Sequence, residues 1–168
     1  MGGHLSRRPD GLTLSDDPRR IDLERCVGWL ASSYWASDRT PEQIARSFAG
    51  SRVFGVYDSA GSQLALARAV TDGASFCWIG DVFVDESARG RGIGSWLVAS
   101  VVERLRADGV PRFMLGTRDA HGVYARLGFT PLRVPEVYME LDERSTRPSR
   151  EQVDPAVLAA ASEQQRTP

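Results

Sequence analysis

The chain contains no lysine; all 21 of its Lys/Arg-type residues are arginine. A nucleotide loop of the Gly-Lys-Ser/Thr kind is therefore excluded, since its phosphate-binding lysine has no counterpart. Cysteine is scarce as well. Cys26 and Cys77 lie in apolar patterns without the paired spacing of a metal site, so no metal is expected and both read as buried thiols of a reducing, cytoplasmic compartment. No apolar run approaches the roughly 18 residues of a membrane span, and no signal-peptide pattern is present. Met1-Gly-Gly-His-Leu-Ser6 formally fits a myristoylation pattern, but arginine used to the exclusion of lysine suggests GC-rich bacterial coding, which argues against lipidation. A net charge of −1 leaves no strongly basic face for general nucleic-acid binding. No internal repeat is visible. With 168 residues, 42% of them hydrophobic, the composition fits one soluble globular domain.

What is present centres on Arg89-Gly-Arg-Gly-Ile-Gly94. Upstream, Trp78 to Val84 is rich in β-branched and aromatic residues and reads as a strand. Downstream, Ile93, Leu97, Val101 and Leu105 recur every four residues, with Val98 and Val102 beside them, which is helical spacing. Asp108-Gly109 and Pro111 stop that helix. Strand, glycine turn and helix N-terminus together make an anion site: free N–H groups point outward, glycines admit a phosphate and the dipole favours negative charge. A dinucleotide fingerprint counted from Gly92 fails, because its third glycine position is Leu97. The pattern that fits is Arg/Gln-x-x-Gly-x-Gly, met by Arg89, Gly92 and Gly94.

A second block lies about thirty residues on, at Ala120-His-Gly-Val-Tyr124-Ala-Arg-Leu-Gly128-Phe129. That interval leaves room for a crossover helix and one strand, Phe113 to Thr117, as a parallel connection needs. The two motifs, in this order and at this distance, resemble those of the GNAT superfamily of acetyl-CoA-dependent N-acyltransferases. The resemblance covers roughly residues 12 to 142 and looks like a branch of small bacterial members of undefined substrate. It implies an α/β (α+β type) architecture: a single GNAT-like domain, its mixed, mostly antiparallel sheet flanked by helices.

The rest of the chain is read in that light. Residues 1–11 read as a flexible leader and 143–168 as a polar, mobile tail, with a short helix over Ala156 to Gln164 as the other option. Leu12 to Ser15 reads as a first strand, 19–34 as a helix, and Thr40-Pro-Glu-Gln43 as the capped start of another. Val53 to Tyr57 and Leu64 to Val70 form a hairpin by pattern, and Val137 to Leu141 a last strand by alternation.

The resemblance also assigns roles. Acetyl-CoA would be the co-substrate and a primary amine, expected to be that of a small molecule, the acceptor. Direct attack gives a negatively charged tetrahedral centre, so the site needs an oxyanion donor and a proton for the leaving sulfur. Tyr124 would supply that proton, a phenol being protonated at neutral pH; the alternative is a tyrosine that only packs beneath the sheet. A backbone N–H near Phe83 or Val84 would face the oxyanion. Backbone groups of Arg89, Gly90, Arg91, Gly92, Gly94 and Ser95 would cradle the pyrophosphate. The Arg89 and Arg91 side chains either touch phosphate or are solvated, and Ser95 is equally read as a plain first-turn residue.

Asp81, a carboxylate inside an apolar strand, is the candidate base, set against a purely structural hydrogen bond. His121 is the other titratable group near the motif, and Asp119 reads as a helix cap. Thr117 stands where many relatives carry a cofactor-contacting asparagine. Tyr34 and Trp35 are candidate acceptor walls, with Asp38 able to attract an ammonium, while Trp29 reads as core. A protein or peptide amine, or a non-catalytic acyl-CoA-binding module, are the competing functions. Oligomeric state, a homodimer included, is not fixed.

Overall fold

Ile93, Leu97, Val98, Val101 and Leu105 are each at most 1% exposed, so the four-residue recurrence is the buried stripe of a helix. That helix is one of three α-helices that, among the described residues, pack with a six-stranded sheet in the computed structural model, which describes residues 5–143 and Pro155. In chain order the elements are β1 (Leu5–Arg7), β2 (Thr13–Ser15), α1 (Leu23–Ala31), α2 (Pro41–Ala49), β3 (Arg52–Tyr57) and β4 (Gln63–Thr71), followed by β5 (Cys77–Val84), α3 (Ile93–Ala107), β6 (Phe113–Met114) and α4 (His121–Ala125). The sheet runs in sequence order; every neighbouring pair is antiparallel except β5 and β6, which α3 joins in parallel. This is the mixed, mostly antiparallel α/β fold expected. By internal packing the chain divides at Leu115 into two compact units, the second of which holds α4.

Local chemistry explains the helix starts. Thr40 and Gln43 form a reciprocal capping box, with Gln43 N–H donating to Thr40 Oγ1 at 3.2 Å and Thr40 N–H to Gln43 Oε1 at 2.8 Å. The Asp22 carboxylate accepts from Arg25 N–H and opens α1. The start of α3 differs: Gly92, in the left-handed region at φ +69°, is its cap, and no side chain bonds there.

Each face of the sheet has its own core. The α3 stripe packs on β3, β4 and β5. On the other face Cys26, Trp29, Leu30 and Ile44 from α1 and α2 close over Val53, Leu66 and Phe83. Burying such side chains contributes about 1.5–3 kcal/mol each.

Four expectations need correction. Leu5–Arg7, placed in the leader, pairs with Thr13–Ser15 as edge strand β1. The first helix is shorter than 19–34; Pro18–Arg20 forms a separate 3-10 turn before Asp22 restarts the chain as α1. The strand after α3 is regular only over Phe113–Met114, the length that β5 pairs. Val137 to Leu141 is not a strand: Pro135–Val137 is a 3-10 turn, and Val137, Met139 and Leu141 are 68%, 99% and 90% exposed. Alternation cannot make a strand without an edge to bond, and none pairs with it among the described residues. The option of a helix over 156–164 lies outside the described residues. No helix among them is long and apolar enough to cross a membrane.

Candidate active site

β5 carries the decisive irregularity. Leu66 pairs with Phe83 but Arg68 with Gly80, so Ala67 faces two residues, Asp81 and Val82. This is a β-bulge, and its first residue is Asp81 at φ +52°, the one non-glycine in the left-handed region among the described residues. The bulge reverses side-chain parity. Ile79, opposite Ala69, lies on the face away from Arg68, whereas Asp81 turns onto Arg68's face together with Phe83. There Asp81 is 4% exposed and held by two guanidinium groups. Arg68 Nε donates to Oδ2 at 2.6 Å, and Arg39 Nη1 reaches both oxygens at 3.0 Å. Both oxygens of the candidate base are thus occupied by cations.

Beyond the bulge Phe83 stacks on Trp29 (5.4 Å between centroids, 18°) and tilts against Trp35 at 6.5 Å. Tyr34 meets Trp35 edge-on at 4.9 Å and is 45% exposed. Trp35 packs against the core, yet its Nε1 is buried without a hydrogen-bond partner among the described residues. Trp29 Nε1 donates to Asp85 Oδ2 at 3.1 Å. Hydrogen bonds from Ser87, and a weaker one from Trp29, hold the Asp85 carboxyl below the usual carboxylate range. Asp85 thereby fixes the 3-10 turn Glu86–Ala88 that delivers the chain into the glycine turn.

The edge of β5 is mostly open. Pairing with β6 covers Cys77 and Trp78 and stops there. Asp85 N–H donates to Leu64 across β4, so alternation directs the N–H and C=O of Val84 to the opposite edge. This selects Val84 over Phe83 as the outward backbone donor. Val84 C=O accepts from Arg89 Nε at 3.2 Å, and Arg89 also pairs with Glu86 at 3.4 Å, so its guanidinium folds back on the strand.

The turn itself is built for close approach. Gly90 and Gly92 have φ of +77° and +69°. A Cβ on Gly94 would stand 3.3 Å from Val84 Cγ2, so the missing side chain lets α3 begin against β5. Trp96 N–H is the first to bond back, to Gly92 C=O, and the N–H groups of Ile93, Gly94 and Ser95 point past the helix end. Arg91 leans toward Asp10 at 3.8 Å, while Arg8 bonds Asp10 at 3.0 Å and donates to Arg91 C=O at 3.2 Å. The segment after β1 therefore braces the turn.

In the second unit Tyr124 sits in α4 with its ring edge-on to Phe129 at 6.0 Å. Gly128, at φ +88°, reverses the chain so that Phe129 N–H reaches Tyr124 C=O at 3.1 Å. The α4 cap is Ala120, with no side-chain cap bond; Thr117 Oγ1 accepts from Ala120 N–H at 3.0 Å, and Asp119 is not the cap. His121 Nδ1 is buried without a partner among the described residues. Burial pushes the thiols of Cys26 and Cys77 up to about 12 and about 11, so neither is a nucleophile.

A sequence profile of the Acetyltransferase (GNAT) family matches residues 18–129, a span that holds the bulged strand, the glycine turn and the tyrosine motif. The chain belongs to the GNAT acetyltransferase family. A solved structure from Xanthomonas campestris pv. campestris, of a protein assigned to the same family, is 37% identical and superposes with a TM-score of 0.73 over 78% of this chain and 92% of that one. Glucosamine 6-phosphate N-acetyltransferase 1 of Oryza sativa is 34% identical over 101 residues, covering 55% of this chain and 61% of the relative. The Escherichia coli ribosomal-protein-S18-alanine N-acetyltransferase shares the fold at 20% identity and a TM-score of 0.59, over 71% of this chain and 77% of that one.

Two parts of the site escaped sequence reading. Arg68 carried a signal, since an arginine between alanines of a buried strand needs a carboxylate partner. Arg8 and Asp10 carried none, because their role depends on β1 forming at all.

Proposed function

We propose that this GNAT enzyme moves the acetyl group of acetyl-CoA to the primary amine of a small molecule, by direct attack within a ternary complex. The observation that carries the reading is continuity: the open edge of β5 ends at Val84 and runs through a left-handed glycine turn into a helix start with no side-chain cap. That surface fits a chain of amide groups followed by a diphosphate. Acetyl-CoA would supply the acetyl thioester. Arg89 to Ser95 would hold the pyrophosphate by backbone N–H groups, with Arg91 released from Asp10. The edge from Ile79 to Val84 would receive the pantetheine amides, and Val84 N–H would face the developing oxyanion.

The net reaction forms an amide C–N bond, breaks the thioester C–S bond and moves one proton from amine to sulfur. Tyr124 is assigned the donation to sulfur on the strength of its motif. We assign Asp81 to holding the bulge rather than to accepting the amine proton, because Arg39 and Arg68 already take both its oxygens. Tyr34 and the unpaired indole N–H of Trp35 would bound the acceptor. The rice relative's sugar-phosphate acceptor supports a small molecule over a protein.

Calorimetric titration with acetyl-CoA, and separately with NADH and ATP, tests the reading. Micromolar binding of acetyl-CoA alone, with thiol release on adding amines, is expected; absence of acetyl-CoA binding would overturn it. Tyr124→Phe should lower kcat by about 10²–10⁴ while acetyl-CoA affinity stays within a few fold. Parallel loss of both would make Tyr124 structural.

A further inference from the structure

Gly80 lies just before the bulge, opposite Arg68 and on the same sheet face. A Cβ built on it would stand 3.4 Å from Trp78 Nε1 and 3.8 Å from Arg68 Nη2. The empty spot is therefore flanked by an indole N–H and a guanidinium corner. Neither that indole N–H, nor Arg68 Nη2, nor Nε and Nη2 of Arg39 has a protein acceptor among the described residues. Trp78 is 39% exposed and the Arg39 side chain 28%, so the spot is open to solvent. Charge points the same way. Arg39 and Arg68 bring two positive charges to the single carboxylate of Asp81, leaving one cation uncompensated. A structural ion pair needs one arginine; the second, with a glycine and an indole donor beside it, makes a receptor for an anion.

We propose that the hollow over Gly80, bounded by Trp78 Nε1 and the Arg68 and Arg39 guanidinium groups, is an oxyanion subsite that receives a carboxylate or phosphate carried by the acceptor amine. The proposal rests on the acetyltransfer reading for its biological meaning, but the subsite itself binds an anion whether or not that reading holds. Gly80 and Val84 lie on one strand, roughly 12 Å apart by strand rise. The acceptor is therefore an amine separated from its anionic group by several bonds. Gly80 serves the site by absence, keeping the hollow open while Asp81 holds the two guanidinium groups beside it.

The first test needs no turnover. In ¹⁵N-labelled protein the indole N–H signal of Trp78, identified by its loss in Trp78→Phe, is followed during titration with inorganic phosphate and, separately, acetate. A saturable shift at millimolar anion is expected for Trp78, and its loss is expected in Gly80→Ala, where the added methyl makes ordinary contacts and the fold is retained. Response to phosphate alone or to acetate alone identifies which anion the acceptor carries. No saturable shift with either, or an equal shift in Gly80→Ala, overturns the proposal.

The second test reads selectivity, comparing glucosamine 6-phosphate with glucosamine, and δ-aminovalerate with its amide. The anionic member of at least one pair should have kcat/KM about tenfold or more higher, the worth of a charged hydrogen bond, with the advantage lost in Gly80→Ala. Equal values within both pairs would overturn the subsite, whereas failure of acetyl-CoA to bind would overturn the acetyltransfer reading alone.

Discussion

Asp81 shows how much one residue can be asked to bear. Its φ of +52° is costly for any side chain, about 1–2 kcal/mol, though aspartate tolerates that region better than most. The cost is offset because the strained conformation delivers the carboxylate to Arg39 and Arg68, where its side chain is 1% exposed. Removing the carboxylate leaves two guanidinium groups partly buried with no counter-charge. Asp81→Ala should therefore destabilise the protein by about 3 kcal/mol or more, the cost of breaking a buried pair. Asp81→Gly loses the same charge but relieves the backbone, so it should be the more stable of the two by about 1 kcal/mol. Urea denaturation of both variants separates the terms. Equal midpoints would mean that the left-handed geometry stores no strain.

The turn into α3 is where backbone conformation and ligand binding meet. A Cβ on Gly92 would touch nothing within 4 Å, so Gly92→Ala tests the left-handed conformation without a clash. It should cost about 1–2 kcal/mol in stability. Gly92→Asp carries the same backbone penalty and adds a negative charge where a diphosphate is proposed to sit. Its acetyl-CoA affinity should fall at least tenfold below that of Gly92→Ala, by like-charge repulsion; matching affinities would put the anion elsewhere. This element was legible because its signals are local: glycines for positive φ, four-residue recurrence for α3, Thr40 and Gln43 for the start of α2. The bulge was not. A single inserted residue leaves composition untouched while turning Asp81 and Phe83 to the face opposite Ile79. Val137 to Leu141 errs the other way, because its alternation is genuine but a strand also needs a neighbour. β1 shows the same dependence in reverse, as three residues of no marked propensity become a strand because β2 offers an edge.

At the scale of the whole molecule, absence of lysine gives the alkaline titration an unusual simplicity. Between pH 8 and 11 a typical protein loses its lysine charges; here arginines stay charged and only thiols, tyrosines and the N-terminus release protons. Cys26 and Cys77 are both fully buried, one in α1 and one at the start of β5, and burial raises them to about 12 and about 11. Unfolded thiols titrate near 8.5. Above that pH the unfolded state has lost protons that the folded state still holds, so the unfolded state is favoured as pH rises. Stability should accordingly be level with respect to the thiols below about pH 8. It should then fall by about 1 kcal/mol per pH unit for each thiol, until the folded values are reached near 11 and 12. Tyr57, raised by burial as well, extends the decline further into the alkaline range. Cys26→Ala should start from a lower stability because it leaves a cavity, yet lose less between pH 8 and pH 10 than the parent chain. Urea denaturation at those two pH values compares the slopes. Parallel decline in parent and variant would place the Cys26 thiol in contact with solvent and remove it from the core.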